Sequence, residues 1–176
     1  MSRPSWPNTG GSPICSSPFI RQHPAVSEAN PDTANTLRVQ TARRGDDVLI
    51  LGSCLRVGGA QAQVDNFHAG GVAYPVDIDT GIISGRGQTL LGDNVHIRHP
   101  STGKIMPGFQ IPMWPEICDM IKKAAVTTPH VGYVGWDVAV TPDGPEIVEG
   151  NINYPDPIVV QLDGKPFGKK LRDFVK

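Results

Sequence analysis

The stretch that decides the fold is Gly135-Trp-Asp-Val-Ala-Val-Thr-Pro-Asp-Gly-Pro-Glu-Ile-Val-Glu-Gly-Asn151. Two β-prone runs, Tyr133–Val140 and Glu146–Val148, flank the turn signal Pro142-Asp-Gly144. A three-residue loop that ends in a glycine at positive φ commonly joins two antiparallel strands. The sequence therefore predicts a β-hairpin, with Thr141 and Pro145 flanking its loop.

This loop fixes which side chains face each other. Counting back along both strands places Asp137 opposite Glu149, and Asn151 shares the face of Glu149 because side chains alternate. Directly opposed Cβ atoms lie roughly 4.5–5.5 Å apart, and like charges there repel. A bound cation removes that conflict, and two carboxylates with an amide oxygen suit Mg²⁺, which takes further ligands from water and substrate phosphates. The alternative is a purely structural hairpin whose acidic side chains lie on a solvent-exposed face.

The same pairing predicts how the site responds to mutation. If the two carboxylates repel each other, Asp137→Asn leaves the ligand-free protein as stable as before or slightly more stable. It also abolishes the rise in melting temperature that Mg²⁺ produces.

Composition excludes several classes of protein. A net charge of −1 over 176 residues gives no indication of the basic surface that binds nucleic acid or an anionic membrane. The sequence has no apolar run of about 18 residues and no secretory signal at its start. Three widely spaced cysteines, Cys15, Cys54 and Cys118, form neither a metal-finger pattern nor a disulfide framework. We therefore expect a cytoplasmic protein without nucleic-acid or membrane partners.

The sequence predicts two parts of the chain. Residues 1–18 are rich in Ser, Pro and Gly and are predicted to be irregular or disordered, and residues 19–176 are predicted to form one domain. Apolar periodicity within the domain predicts short strands and two helices. We predict an α+β fold, an antiparallel sheet of about four to six strands flanked by helices. The predicted strands before the hairpin are Asn35–Thr41, Val48–Val57, Gly70–Asp79 and Ile82–Gly85, and the helices are Met113–Val126 and Pro166–Lys176.

Two arginines within predicted strands are candidates for binding an anion. An unpaired charge facing the core is costly, and the guanidinium groups of Arg38 and Arg56 can make two parallel contacts with phosphate or carboxylate. The alternative is that each arginine is an ordinary exposed residue of its strand, with only the aliphatic part of its side chain packed. Between the strands, Asp65–Gly71 combines hydrogen-bonding residues with two glycines that let a backbone approach a ligand, although this segment taken alone favours a tight turn. We interpret His99, which precedes a proline, as a turn residue.

These residues, taken in order, resemble a known family. The C-terminal lobe of ATP-grasp enzymes is similar over roughly Phe19–Lys176, and the sugar-transfer-associated branch, also described as hexapeptide-transferase-like or glutamate-ligase-like, is the closest. The motifs that carry the resemblance are Asn35-Thr-Leu-Arg38, Leu55-Arg-Val-Gly-Gly59, Asp65-Asn-Phe-His-Ala-Gly-Gly71, Asp79-Thr-Gly81, His99-Pro-Ser-Thr-Gly103, Gly135-Trp-Asp137 and Glu149-Gly-Asn151.

The resemblance implies an activity and a set of site residues. Enzymes of this superfamily bind ATP and Mg²⁺ between two α+β lobes, and most couple a carboxylate to an amine or thiol through an acyl phosphate. It implies that the metal is held by Asp137, Glu149 and Asn151. It further implies that the phosphates or the acceptor lie near Arg38, Arg56, Asn66, Gly70 and Gly71.

The sequence departs from the family pattern in two places. The match starts near Phe19-Ile-Arg-Gln-His23, about where the first lobe and its hinge should already have ended. Gly135 stands where many relatives carry an arginine, two residues before the first metal-binding aspartate. We therefore expect half an active site, from a truncated product or one subunit of a split enzyme. Such a lobe would self-associate or pair with the missing lobe, because its sheet is left uncovered.

The resulting hypothesis is an ATP- and Mg²⁺-dependent carboxylate–amine ligase lobe, incomplete alone, that acts on a small-molecule carboxylate or amine. One alternative is a non-catalytic scaffold that binds a nucleotide or a cation. Another is an unrelated β-rich module that binds sugar or Ca²⁺. The sequence leaves the donor and the acceptor unnamed.

Overall fold

The computed structural model describes residues 20–59, 71–89, 95–152, 162 and 168–176. The predicted irregular segment 1–18 lies outside these residues, as do two of the candidate site residues, Asn66 and Gly70.

Seven strands and three helices form the described part of the chain. Their bounds in chain order are α1 Pro24–Ser27, β1 Thr36–Arg44, β2 Asp47–Val57, β3 Val72–Val76, β4 Gly87–Gln88, β5 Val95–His96, α2 Trp114–Val126, β6 Tyr133–Thr141, β7 Gly144–Asn151 and α3 Gly168–Val175.

The strands form one antiparallel sheet in the order β5-β4-β3-β2-β1-β6-β7. Hairpins join β1 to β2 and β6 to β7, and β1 pairs with β6 although residues 58–132 separate the two hairpins in sequence. This long-range pairing brings the middle of β1 against the middle of β6. It places the polar side chains of the two hairpins beside each other on one face of the sheet.

The two faces of the sheet differ in character. Along β1, Leu37 and Val39 point to a core face, whereas Arg38 and Gln40 point to the opposite, polar face. The core face is covered by α2, whose apolar side chains recur at helical spacing. Burying each isoleucine of that helix stabilises the fold by about 1.5–3 kcal/mol. The helix contributes Trp114, Ile117, Ile121 and Ala125 to this core.

A close contact fixes where α2 begins. Met113, just before the helix, has a left-handed backbone with φ of 57°. The indole Nε1 of Trp114 donates to the carbonyl oxygen of Ile78 at 3.1 Å, and a Cβ on Gly81 would overlap the indole ring. Gly81 has φ of 74°, so the turn needs a glycine both for its backbone and for its space.

The predicted α+β fold with an antiparallel sheet flanked by helices is confirmed. The predicted strand number of four to six is wrong, because β4 and β5 have two residues each and give no periodic pattern. Of the predicted strand Gly70–Asp79, the described residues 71–79 form the shorter strand β3, and the predicted strand Ile82–Gly85 forms isolated bridges through Ile82 and Ile83. Both predicted helices are found, as Trp114–Val126 and Gly168–Val175. Within the described residues, none of the helices is long and apolar enough to cross a bilayer.

Candidate functional site

The hairpin of β6 and β7 brings two carboxyl groups together. Asp137 pairs directly with Glu149, as predicted. The predicted three-residue loop is wrong, because Thr141 pairs with Gly144 and leaves a two-residue loop. A β-bulge at Val148 then adds one residue to β7, so that the pairing of Asp137 is restored. Bulges often re-aim side chains beside functional sites, and this one turns Glu149 toward Asp137.

The polar face places an arginine on the other side of Asp137. Arg38 on β1 is the direct partner of Asp137 on β6. Its Nε donates to Oδ1 at 2.5 Å and its Nη2 donates to Oδ2 at 3.1 Å. This is a bidentate pair, the strongest type of ion pair that an arginine forms with a carboxylate. Both side chains are only 6% exposed.

A second arginine reaches the same carboxylate from β2. The Nη2 of Arg56 lies 3.1 Å from Asp137 Oδ2, and the Arg56 side chain is 13% exposed. The same Nη2 donates to Thr36 Oγ1 at 2.7 Å, and Nε donates to that oxygen at 3.3 Å. The three residues Arg38, Arg56 and Asp137 are called the arginine clamp below. Asp137 therefore accepts three contacts from two guanidinium groups.

The clamp resolves the predicted conflict between the carboxylates without a cation. The premise that Asp137 faces only a like charge is wrong, because β1 and β2 supply two positive charges. Burial raises the pKa of the Asp137 carboxyl, while the Arg56 and Arg38 guanidinium groups act in the opposite direction. Contact with Glu149 raises that pKa further.

Glu149 and Asn151 form the solvent side of the site. Glu149 is exposed, and the Asn151 amide nitrogen donates to its Oε1 at 2.8 Å. This hydrogen bond, followed by the contact with Asp137, lowers the pKa of Glu149. Glu149 is therefore charged at neutral pH and accessible, as a ligand for a hard cation must be.

The remaining predicted residues lie at different distances from this cluster. Gly71 is buried and precedes β3, where Ala73 pairs with Arg56. His99 lies in a turn, as predicted: its backbone N–H donates to the Lys104 carbonyl, and Nδ1 lies 3.4 Å from Thr102 Oγ1. Burial lowers the pKa of His99. It belongs to the fold and not to the arginine clamp.

Sequence reasoning missed Thr36 and Gln40, which share the polar face with Arg38. A signal for them was present, because the polar Thr36, Arg38 and Gln40 alternate along β1 with the apolar Leu37 and Val39. It also missed that both arginines converge on Asp137. That contact depends on the pairing of β1 with β6, which local patterns do not reveal.

The donor groups fit Mg²⁺ in part. Glu149 and Asn151 offer hard oxygen ligands on the accessible side, although the Asn151 amide must turn to present its oxygen beside Glu149. Both oxygens of Asp137 are already engaged by guanidinium groups. Among the described residues, no group of three or more His, Cys, Asp or Glu side chains is placed to hold a metal ion.

Comparison with known proteins places this arrangement in a family. No curated protein gives a significant match. The model of the sugar-transfer associated ATP-grasp family matches residues 12–174, which is almost the whole chain. This match agrees with the antiparallel α+β fold and with the resemblance in the motifs. The chain belongs to the sugar-transfer associated ATP-grasp family.

Proposed function

We propose that the polar face of this sheet binds the phosphates of ATP with Mg²⁺, as one lobe of a ligase that couples a carboxylate to an amine or a similar acceptor. The observation that carries the proposal is the convergence of Arg38, Arg56, Asp137 and Glu149 on one face of the sheet in an ATP-grasp domain. Charged groups buried together in this way are more typical of a binding site than of a structural sheet.

Each residue has a distinct task in this proposal. Glu149 and Asn151 would hold the metal ion from the solvent side, and Asp137, whose oxygens both contact guanidinium groups, would be its third ligand. The guanidinium groups of Arg38 and Arg56 bind phosphate oxygens and neutralise the charge that develops on them. Thr36 orients Arg56 through the hydrogen bonds to its hydroxyl. When bound, Mg·ATP supplies the phosphoryl group that activates a carboxylate for attack by the acceptor.

The contribution of the protein is positioning and charge neutralisation. The described strands carry arginines but not a lysine, so these strands contribute phosphate contacts through guanidinium groups. We expect the chain alone to bind Mg·ATP weakly, with a dissociation constant in the millimolar range, because the ligands on this face are few. The substrates are a small carboxylate and an amine or similar acceptor.

Isothermal titration of a non-hydrolysable ATP analogue tests this proposal. With Mg²⁺ present, Glu149→Gln should weaken binding about tenfold or more, equivalent to about 1.4 kcal/mol. The matched control is Glu116→Gln, since Glu116 is an exposed residue on α2 beyond the core face. Equal affinities of Glu149→Gln and wild type would overturn the assignment of Glu149.

A further inference from the structure

The helix α3 carries positive charge that the composition of the whole chain conceals. Five of the sixteen lysine and arginine residues lie on this helix, directly after it, or at the strand end against which it packs. This basic patch consists of Arg44, Lys169, Lys170, Arg172 and Lys176, all of them exposed. We propose that the basic patch docks the protein on an anionic membrane surface. The proposal goes beyond the proposed function and does not depend on it.

The packing of α3 determines which of its side chains face solvent. The helix lies against β1 and β2, and the guanidinium carbon of Arg44 is 5.6 Å from the centre of the Phe174 ring. Leu171 and Phe174, three residues apart, are half-buried and form the side that meets the hairpin. Lys169 and Arg172, also three residues apart, are exposed on the outer side. The helix is therefore amphipathic, with a cationic outer side.

The carboxylates around the basic patch are too few to neutralise it. Those on α3 and at the tip of the β1–β2 hairpin are Asp46, Asp47 and Asp173. Asp46 lies 3.7 Å from Nη2 of Arg43, which is outside the patch. Within the described part of the chain, none of the five patch residues forms a salt bridge. The net charge of −1 averages this local excess away, which is why it predicts no membrane partner.

The apolar side of α3 is covered by the protein only in part. None of the described side chains of the helix is buried, and Val175, one turn after Leu171, is 57% exposed. A helix with a cationic side and an incompletely covered apolar side is typical of segments that lie in the membrane interface. A bilayer with anionic lipids offers negative charge to the lysines and an apolar phase to Val175.

The lysine content of the patch favours a lipid surface over a protein partner. Three of its five cations are lysines, whose flexible side chains act as point charges and need no fixed geometry. Protein–protein interfaces are depleted in lysine and enriched in aromatic residues and arginine. The one aromatic ring of α3, that of Phe174, faces the hairpin. A fluid anionic surface is therefore the partner that this patch fits.

The basic patch lies apart from the proposed nucleotide site. Arg44 and Arg38 are six residues apart on β1, so their side chains point to the same face of the sheet. At about 3.4 Å per residue, they are separated by about 20 Å along the strand. Membrane binding can therefore be measured without any nucleotide.

Cosedimentation of the full chain with sucrose-loaded vesicles tests the proposal. At low salt the chain should bind vesicles made of equal parts phosphatidylglycerol and phosphatidylcholine, and it should not bind vesicles of phosphatidylcholine alone. Because salt screens exposed charges, binding should weaken as the salt concentration rises. Combining Lys169→Gln with Lys170→Gln should lower the partition coefficient about thirtyfold, about fivefold for each lysine.

The matched control removes two lysines from the helix on the other face of the sheet. Lys122→Gln combined with Lys123→Gln also takes two adjacent exposed lysines from a helix, so the net charge changes equally. This control should bind anionic vesicles as wild type does, and circular dichroism melts establish that both double variants are folded.

Three results would overturn the proposal: no binding to the anionic vesicles, equal binding to the two kinds of vesicle, or equal losses in the two double variants. In the first case an acidic protein surface is the partner that remains for the patch. Selective, salt-sensitive binding that only the α3 double variant loses supports membrane docking through α3.

Discussion

Replacing Asp137 by asparagine removes the negative charge that two buried guanidinium groups share. Arg38 and Arg56 contact its oxygens at 2.5–3.1 Å, and all three side chains are at least 87% buried. Breaking a buried ion pair by removing one partner typically costs about 3–5 kcal/mol, because the remaining charge is left uncompensated. Asparagine keeps one oxygen acceptor, so we expect the lower end of this range, about 3 kcal/mol.

This magnitude corresponds to a readily measured shift. For a chain of this length, 1 kcal/mol lowers the melting temperature by about 2–4 °C, so Asp137→Asn should melt about 6–12 °C below wild type. This result is the reverse of the neutral or slightly stabilising effect that follows from the sequence alone. Thermal melts followed by circular dichroism, together with urea unfolding, provide the assay.

The matched control is Asp119→Asn, which makes the same change at an exposed position of α2. Surface substitutions of this kind usually change stability by no more than about 0.5 kcal/mol. If Asp137→Asn melts within the range of this control, the arginine clamp contributes no stability. The argument from buried charge would then be refuted.

Further predictions concern the turn before α2 and the buried histidine. Gly81→Ala should destabilise the fold more than Gly108→Ala, as measured by urea unfolding. Both glycines have positive φ, which costs another residue about 1–3 kcal/mol. Only Gly81 also abuts the Trp114 ring, because nothing lies within 4 Å of a Cβ at Gly108. Equal losses would exclude the steric contribution. Because burial lowers the pKa of His99, the unfolded chain binds more protons than the folded one, so the free energy of unfolding should fall as the pH drops below about 6.5. His99→Gln should flatten that fall between pH 7 and pH 5, and an unchanged slope would contradict it.

Much of the fold could be predicted because its signals are local. The polar–apolar alternation along β1, the apolar β-prone run of β2, the helical spacing in α2 and the turn before Gly144 each lie within a short window. The strands β4 and β5 escaped prediction because two residues carry no period. Their pairing depends on neighbouring strands, and not on their own sequence.

The pairing of Asp137 with Glu149 was predicted through two errors that cancel. The loop is one residue shorter than expected, and the bulge at Val148 adds that residue back to β7. Valine is a good strand residue, so nothing in its identity marks the bulge. The register beside the bulge depends on packing: Ile147 joins the core, while Val148 is exposed.

The arginine clamp could not be predicted from local patterns. Arg38 and Asp137 are 99 residues apart in sequence, and only the pairing of β1 with β6 brings them together. The motifs identified each residue as a candidate, but the sequence did not show that the arginines hold the aspartate in the absence of a ligand. Hairpin geometry alone left Asp137 facing a like charge, which explains why the sequence and the arginine clamp predict opposite effects of Asp137→Asn on stability.

The central claim is that the polar face of the sheet binds nucleotide phosphate through its arginines. A crystal structure of the chain with Mg²⁺ and a non-hydrolysable ATP analogue tests it most directly. We predict phosphate density beside Arg38 and Arg56, and the metal ion beside Glu149 and Asn151. An analogue bound away from these two arginines would contradict the account.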